Sequence, residues 1–180
     1  MPAKGIPQTS VRRARREEWR ELRDLRLYAL KSEPLAFSST LEEEQVFPDA
    51  LWQERATRGS EASDSSTWVA VAPDGRLVGL VGIGVVDSTP SIFGMWLEPA
   101  FRGHGTGGRL LDAALAWGRR LHPRANIRLD VSTSQVTAVA LYQSRGFHFA
   151  GSPRPPRRPS RVGLLTVQEM TLAEPGETKA

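Results

Sequence analysis

A glycine-rich loop is the feature that most restricts the fold and the ligand of this chain. The loop reads Arg102-Gly103-His104-Gly105-Thr106-Gly107. It follows a strand pattern at about 92–97 and opens an apolar helix pattern at about 105–121. Glycine lets the backbone approach a ligand closely, and the free N–H groups and dipole at a helix start attract anions. We therefore predict that this strand, loop and helix bind a phosphate-bearing ligand.

Two nucleotide-binding motifs share part of this pattern. Gly103, Gly105 and Gly108 have G-x-G-x-x-G spacing, and Asp130 follows about twenty residues later, as in a dinucleotide fingerprint. A dinucleotide fold is disfavoured because the loop follows an antiparallel meander, and about fifty residues remain after Asp130, too few for further βαβ units. A kinase-type P-loop is excluded because Arg and Leu follow Gly108, where that motif needs Lys and Ser or Thr. A plain glycine-rich turn remains the structural alternative.

The rest of the pattern predicts one domain that combines a meander with later βα units. Thr40 and Glu43 have capping-box spacing, and Pro48 fits the first turn of a helix that ends at Gly59. The predicted strands are about 11–14, 68–72, 77–86, 92–97, 127–131, 147–150 and 164–170, and the predicted helices are about 17–31, 48–59, 105–121 and 135–145. We assign 1–10 to a flexible arm, 11–173 to the single domain and 174–180 to a flexible tail.

Composition and charge restrict the chemistry and the partners. The chain has no cysteine, which excludes disulfides, thiolate metal sites and a covalent cysteine intermediate. The longest apolar run covers only 77–86, against roughly 20 residues needed to cross a bilayer, and the first residues lack a signal-type apolar segment. We therefore expect a cytoplasmic protein without membrane contact. Residues 102–161 hold eleven Arg against two acidic residues, a net charge of +9, which favours an anionic partner such as nucleic acid or a phosphorylated cofactor.

A second motif lies downstream of the loop. It consists of Leu129-Asp130-Val131, Ala138, Leu141-Tyr142 and Gly146-Phe147. Together with Met95-Trp96-Leu97-Glu98-Pro99 and the glycine-rich loop, in this order and at these separations, it resembles the GNAT superfamily of N-acetyltransferases. The resemblance covers about residues 67–172, and 25–37 is similar to the opening helices of many bacterial members.

The resemblance implies an α+β, GNAT-like fold that binds acetyl-CoA. Its mixed, twisted sheet of about six to seven strands would begin with an antiparallel meander, be flanked by about four helices and splay open for the cofactor. The residues that would hold the pyrophosphate through their amides are Arg102, Gly103, His104, Gly105, Thr106 and Gly107. The pantetheine arm would pair with the backbone of Met95, Trp96 and Leu97. Gln135 stands where the family usually has Asn and keeps the amide on a longer arm.

Two residues are candidates for proton transfer. The family tyrosine at the place of Tyr142 points at the thioester sulfur, so Tyr142 is the candidate general acid, with core packing as its alternative role. Asp130 matches a carboxylate that is the base in some members that acetylate protein N-termini; otherwise it pairs with Arg128 or a neighbouring turn. Glu98 is an alternative base, and Trp96 lines the acceptor pocket if its side chain points there. Without a cysteine to carry the acetyl group, direct transfer to the acceptor is the simpler route.

No metal is expected, because His122 and His148 have no partner at metal-ligand spacing. The predicted function is an acetyl-CoA-dependent N-acetyltransferase that acts on a primary amine of a small molecule or a protein N-terminus. Acceptor choice is expected in the loops 35–47 and 153–161, since loops vary most freely. Two alternatives stay open: an acyl-CoA sensor without turnover, and a basic nucleic-acid-binding module, although the aromatic residues near the basic half lack the spacing of a stacking platform. A homodimer also stays open.

Overall fold

The computed structural model describes residues 8–156 and 163–173. The strands are β1 Ser10–Arg13, β2 Ser65–Val71, β3 Leu77–Val86, β4 Thr89–Leu97, β5 Ile127–Ser132, β6 His148–Arg154 and β7 Val167–Leu172. The helices are α1 Trp19–Ser32, α2 Leu41–Glu44, α3 Asp49–Glu61, α4 Thr106–Leu121 and α5 Val136–Gln143. Short 3₁₀ helices at Arg16–Glu18 and Pro99–Phe101 precede α1 and α4. Arg157, Arg158 and Arg161 lie outside the described residues, as do the predicted tail and most of the predicted arm.

Within these residues the strands form one seven-stranded sheet in the order β1-β2-β3-β4-β5-β7-β6. All neighbours pair antiparallel except β4 and β5, which run parallel. The parallel contact consists of two residue pairs, Ser91 with Arg128 and Ile92 with Leu129. Beyond these pairs the two strands separate, and the sheet opens into two arms. The predicted mixed sheet with an antiparallel meander at its start is confirmed.

Helices cover both faces of the sheet. Helix α4 packs Leu110 and Leu111 against one face, and α1 packs Leu30 in a second apolar cluster on the other. The neighbouring residues Val69 and Ala70 of β2 belong to different clusters, as the alternation of side chains along a strand requires. Burial on both faces explains why the central strands read as continuous apolar runs. Each leucine buried this fully contributes roughly 1.5–3 kcal/mol.

Gly118 of helix α4 lies close to both arms of the sheet. A Cβ added at Gly118 would lie 2.5 Å from Ile83 of β3 and 3.5 Å from Ile127 of β5. The helix therefore touches the sheet on both sides of the opening. A side chain at this position would force the end of the Ile83 side chain to move and would contact Ile127.

Most elements differ from the predicted boundaries by one to four residues, and the cause is visible for two of them. Helix α5 ends at Gln143 rather than 145, because the amide of Phe147 returns to the Tyr142 carbonyl at 3.2 Å and Gly146 has a φ of +87°. Strand β7 begins at Val167 rather than 164, because its start is set by pairing with β5 from Ser132 onward.

The protein has one more α-helix among the described residues than predicted. The capping box at Thr40 and Glu43 is confirmed, with the Glu43 amide 3.2 Å from the Thr40 hydroxyl. It starts a single helical turn, α2, which ends before α3 begins, so the predicted pair of N-terminal helices is a set of three.

Candidate active site

The opening of the sheet forms two adjoining cavities. The first, which we call the cleft, has a volume of about 310 Å³ and lies between the ends of β4 and β5, the glycine-rich loop and α5. The second, which we call the side cavity, has a volume of about 540 Å³ and lies on the α1 face of the sheet, between helices α1 to α3 and strands β2 to β5. Residues that line both cavities include Phe37, Phe93, Gly94 and Asp130.

The glycine-rich loop presents backbone N–H groups to the cleft. Gly103 and Gly105 both have a φ of +79°, and Gly105 is the N-cap of α4. Left-handed residues within such a loop turn neighbouring N–H groups toward one point and form an anion-binding nest. Among the described residues, amides 103–108 have no backbone acceptor, and the first paired donor is Arg109, which reaches the Gly105 carbonyl at 3.1 Å. This arrangement suits a pyrophosphate.

Arg102 supports the loop and its own donors are already used. Its guanidinium forms an ion pair with Glu33 at 2.7 Å, and its Nε donates to the Leu97 carbonyl at 2.8 Å. Its amide donates to the Pro99 carbonyl at 3.2 Å. Of the six loop residues predicted to hold the pyrophosphate, Arg102 therefore has the least to offer through its amide.

Arg102 lines the cleft, whereas the side chains of the other polar residues of the loop do not. The Thr106 hydroxyl is buried and lies 2.9 Å from the Thr9 hydroxyl. His104 is exposed and does not line the cleft, whereas Gly103, Gly105 and Gly107 do. Ligand contacts of Thr106 and His104 would thus be made by backbone, while the glycines form the surface.

The free edge of β4 forms the opposite wall. Met95, Trp96 and Leu97 line the cleft and have no partner on β5, since the pairing stops at Ile92. An unpaired strand edge is a template for a further chain of amide groups, which is what a pantetheine arm provides. The Trp96 ring lies under α1, edge-on to Tyr28 at 5.5 Å, and does not line the side cavity.

A β-bulge lies at the mouth of this edge. The pairing of β3 with β4 shifts between Leu80 and Gly82, and Gly94 opposite has a φ of +62°. A bulge turns the backbone of the longer strand and is frequent beside active sites. Here it lies where the cleft meets the side cavity.

Tyr142 is a buried residue that lines the cleft. Its ring packs edge-on against Phe147 at 5.9 Å. Burial raises the pKa of Tyr142 to about 12, so the phenol keeps its proton at neutral pH. Gln135, the N-cap of α5, also lines the cleft and makes no side-chain cap hydrogen bond.

Asp130 lies at the fork of the sheet, one residue beyond the last β4–β5 pair. Its two carboxylate oxygens both accept from Nη2 of Arg154 at 2.7 Å. The alternative prediction that Asp130 pairs with Arg128 is wrong, because Arg128 turns to Asp87 at 3.5 Å and to the Val86 carbonyl at 2.9 Å. Asp130 stays half-exposed and lines both cavities.

Two other carboxylates near the site differ in whether they line a cavity. Glu98 lines neither cavity, and its carboxylate lies 3.7 Å from Arg76, so its geometry does not support a role as base. Glu169 of β7 pairs directly with Asp130 across the sheet and lines the side cavity. Sequence reasoning missed Glu169, because the pairing register of β5 and β7 is not readable from either strand.

Sequence reasoning also missed a charged cluster in the wall of the side cavity. Glu44 is almost fully buried and accepts from Arg26 at 2.8 Å, from Arg55 at 3.1 Å and from the Ser39 hydroxyl. Burial alone would raise the pKa of Glu44, but the hydrogen bond and charge of Arg26, with Ser39 and Arg55, outweigh it and lower the pKa. The sequence signal was weak, since each residue reads alone as a solvated helix or loop position.

No helix in the described part of the chain is long and apolar enough to span a bilayer. No group of three or more His, Asp or Glu residues there is arranged to hold a metal ion.

Comparison with known proteins decides the family. A family model described as "Acetyltransferase (GNAT) family" matches residues 16–147. The chain belongs to the GNAT family. The predicted family, the fold, acetyl transfer and acetyl-CoA as the acetyl donor are thereby confirmed.

Similar proteins support this membership. The chain is 31% identical to the N-alpha-acetyltransferase RimI of Mycobacterium tuberculosis over 132 residues, which cover 71% of this chain and 81% of that protein. A GNAT acetyltransferase from Streptococcus pneumoniae matches with a TM-score of 0.76 and 20% identity, over 93% of this chain and 100% of the other. YncA of Salmonella typhimurium, a putative acetyltransferase solved with acetyl-CoA, matches with a TM-score of 0.73 and 17% identity, over 96% and 98% of the two chains. At these identities the two structures support the fold.

Proposed function

We propose that this GNAT protein binds acetyl-CoA in the cleft and that the acetyl group passes directly to a primary amine entering from the side cavity. The observation that carries the proposal is the pair of open backbone surfaces facing one cleft. These are the amides 103–108 of the loop and the unpaired edge of Met95, Trp96 and Leu97.

The residues of the cleft fit acetyl-CoA. The amides of the loop would hold the pyrophosphate, and the edge of β4 would hold the pantetheine arm. The net charge of +9 over residues 102–161 adds a general attraction for the phosphates. When bound, acetyl-CoA would supply the activated acetyl group as a thioester.

Asp130 is the proposed general base. An amine attacks only as the neutral form, so its ammonium must first lose a proton. The Asp130 carboxylate lies at the fork of the sheet, lines both cavities and is half-exposed, so an amine arriving from the side cavity can reach it. Arg154 fixes the carboxylate in place through its double contact.

Tyr142 is the proposed general acid. Its raised pKa, about 12, keeps the proton on the phenol at working pH. No hydrogen bond of this hydroxyl is formed with the described residues, so the proton is available to a group in the cleft. The phenol would donate to the sulfur as it leaves.

The acceptor is proposed to be an amine, in line with the similarity of this chain to RimI, an N-alpha-acetyltransferase. The test is release of free CoA with four classes of amine: amino acids, peptide N-termini, polyamines and aminoglycosides. We expect turnover with at least one class. Binding of acetyl-CoA without turnover on any of them would contradict transfer and favour a sensor. A cytoplasmic location and a homodimer stay predictions from the sequence.

A further inference from the structure

The side cavity contains a cationic group with an unused donor. Arg26 of α1 is only 16% exposed, and its Nε and Nη2 donate to Glu44 and Ser39 at distances between 2.8 and 3.3 Å. Its remaining nitrogen, Nη1, is buried and has no hydrogen-bond partner among residues 8–156 and 163–173. The guanidinium also lies over the Phe37 ring, 4.5 Å from its centroid. Nε, Nη2 and one face of the guanidinium are therefore occupied, and Nη1 is the donor that is not used.

The unused nitrogen points toward the place where the two cavities meet. A Cβ built on Gly94 would lie 3.9 Å from Arg26 Nη1, and apart from its chain neighbours no other heavy atom of the described part of the chain would lie within 4 Å. Gly94 is the bulge residue that lines both the cleft and the side cavity. An acceptor placed for attack at the end of the cleft would have its neighbouring substituents beside this nitrogen.

A buried, charged donor without a partner is costly, so its presence calls for a ligand atom that completes it. Nη1 is buried and the Phe37 ring stacks on the guanidinium, so an acceptor oxygen that reaches Nη1 must displace the atoms that cover this nitrogen. The buried group of Arg26, Arg55 and Glu44 carries two positive charges and one negative charge, a net charge of +1. An anionic oxygen is the partner that this charge favours, and guanidinium and carboxylate groups match in geometry.

The opposite side of the cavity holds two carboxylates beside Arg128. Asp130 of β5 and Glu169 of β7 lie opposite each other in the pairing of the two strands, and both line the side cavity. Arg154 neutralises one of them, and Glu169 has no ion pair among the described residues. The side cavity therefore offers a cationic group near Gly94 and carboxylates at the fork, which is the arrangement a small zwitterion needs.

We propose that the acceptor is a small amine that also carries a carboxylate, such as a free amino acid, and that Arg26 Nη1 binds this carboxylate. The inference rests on the proposed acetyl transfer and narrows its substrate class. Polyamines and peptide N-termini have no carboxylate on the carbon that bears the amine. The inference therefore distinguishes this chain from acetyltransferases that act on those acceptors.

The test compares free amino acids with their own amides as acceptors, using release of CoA to obtain kcat/KM. The amide has the same side chain and amine but no carboxylate, and its amine is more easily deprotonated, so chemical reactivity alone favours the amide. We expect the amino acids to be preferred by about 10- to 100-fold, the range that one charge-assisted hydrogen bond gives. Spermidine and a short N-terminal peptide amide complete the panel.

The variant Arg26→Lys keeps a positive charge beside Glu44 but removes Nη1. We expect it to lose about 10- to 100-fold in kcat/KM with amino acids and to change by less than about threefold with amides. The control is Arg20→Gln on the same helix, which is exposed and lines neither cavity, and which should leave the ratio of acid to amide unchanged.

Three results would overturn the inference. If wild-type protein used the amides, the peptide or spermidine as well as the amino acids, the carboxylate site would be excluded while acetyl transfer would stand. If Arg26→Lys folded with an unchanged ratio of acid to amide, Arg26 would not be the group that binds the carboxylate. If no amine at all were acetylated despite acetyl-CoA binding, the proposed transfer itself would be wrong, and the inference with it.

Discussion

The cleft places backbone groups from one short stretch of chain opposite side chains of β5 and α5, whereas the side cavity is formed by side chains from many elements. The glycine-rich loop and the edge of β4 both lie within residues 94–108. The side cavity takes its walls from helices α1 to α3, strands β2 to β5 and β7. The difference follows from the ligands. A cofactor shared by a whole family can be held by backbone, while an acceptor particular to one protein must be recognised by side chains.

The largest effect should come from Tyr142→Phe, which tests the one side chain assigned to chemistry on the cofactor side. Removing the hydroxyl should lower turnover by about 10²- to 10⁴-fold and change acetyl-CoA affinity little, because a positioned acid acts on the leaving group. Steady-state kinetics and calorimetric titration of acetyl-CoA separate the two quantities. Tyr28→Phe is the matched control, since Tyr28 is half-exposed and lines neither cavity. A parallel fall in binding and stability would instead identify Tyr142 as a packing residue.

Glu44→Gln tests whether the side-cavity wall depends on its buried charge. Loss of the carboxylate leaves Arg26 and Arg55 without their shared partner and should lower the free energy of unfolding by about 3 kcal/mol at pH 7. Because the pKa of Glu44 is lowered in the folded state, its contribution is present at neutral pH and is lost as the pH falls below about 4. Urea denaturation at pH 7 and pH 3.5 should therefore show a smaller difference between variant and wild type in acid.

The neighbouring exposed residue provides the control for this experiment. Glu42→Gln should change stability by less than about 0.5 kcal/mol at either pH. An equal effect of the two substitutions on the free energy of unfolding would show that the buried cluster does not stabilise the fold.

Asp130→Asn tests the residue that the two cavities share. We expect kcat/KM for the amine to fall by about 100-fold, at the lower end for a general base because water or Glu169 can take over part of the role. Acetyl-CoA affinity should stay within about threefold. Asp112→Asn removes a carboxylate with a similar double contact, to Arg145 at 3.0 and 3.2 Å, outside both cavities, and should leave turnover unchanged. Full activity of Asp130→Asn would show that another group is the general base.

The smallest effect is expected from two matched glycine substitutions. Gly105 and Gly75 both have a positive φ, +79° and +87°, and a Cβ added at either would meet no atom within 4 Å. Ala at each should therefore cost a similar amount of stability, about 1–2 kcal/mol. Only Gly105→Ala should also weaken acetyl-CoA binding, by about tenfold, because it disturbs the amide nest. Equal acetyl-CoA affinity in both variants, measured by calorimetry, would remove the loop from the binding site.

The same contrast explains what could be predicted from the sequence. Strand β3 and the end of α4 were predicted at their observed residues, and the capping box at Thr40 was recognised, because periodicity and caps are local signals. The start of β7 was missed because its bounds depend on pairing with β5.

Long-range contacts account for the missing parts of the site. The partner of Asp130 lies 24 residues away and that of Arg26 lies 18 residues away, across different elements. Residue type alone did not show that Asp130 pairs with Arg154 rather than with Arg128. It also did not show that Arg26 is mostly buried, unlike the solvated arginines near it in the sequence. The direction of the Trp96 ring likewise became known only from its packing under α1.

The two-pair contact between β4 and β5 has a mechanical consequence. Two residue pairs, Ser91 with Arg128 and Ile92 with Leu129, join the two halves through their strands. Apolar packing adds to this contact, because residues of both halves and of α4 belong to one core cluster, in which Gly118 lies against Ile83 of one half and Ile127 of the other. The resistance of the opening to separation therefore depends in part on apolar contacts, which weaken on cooling.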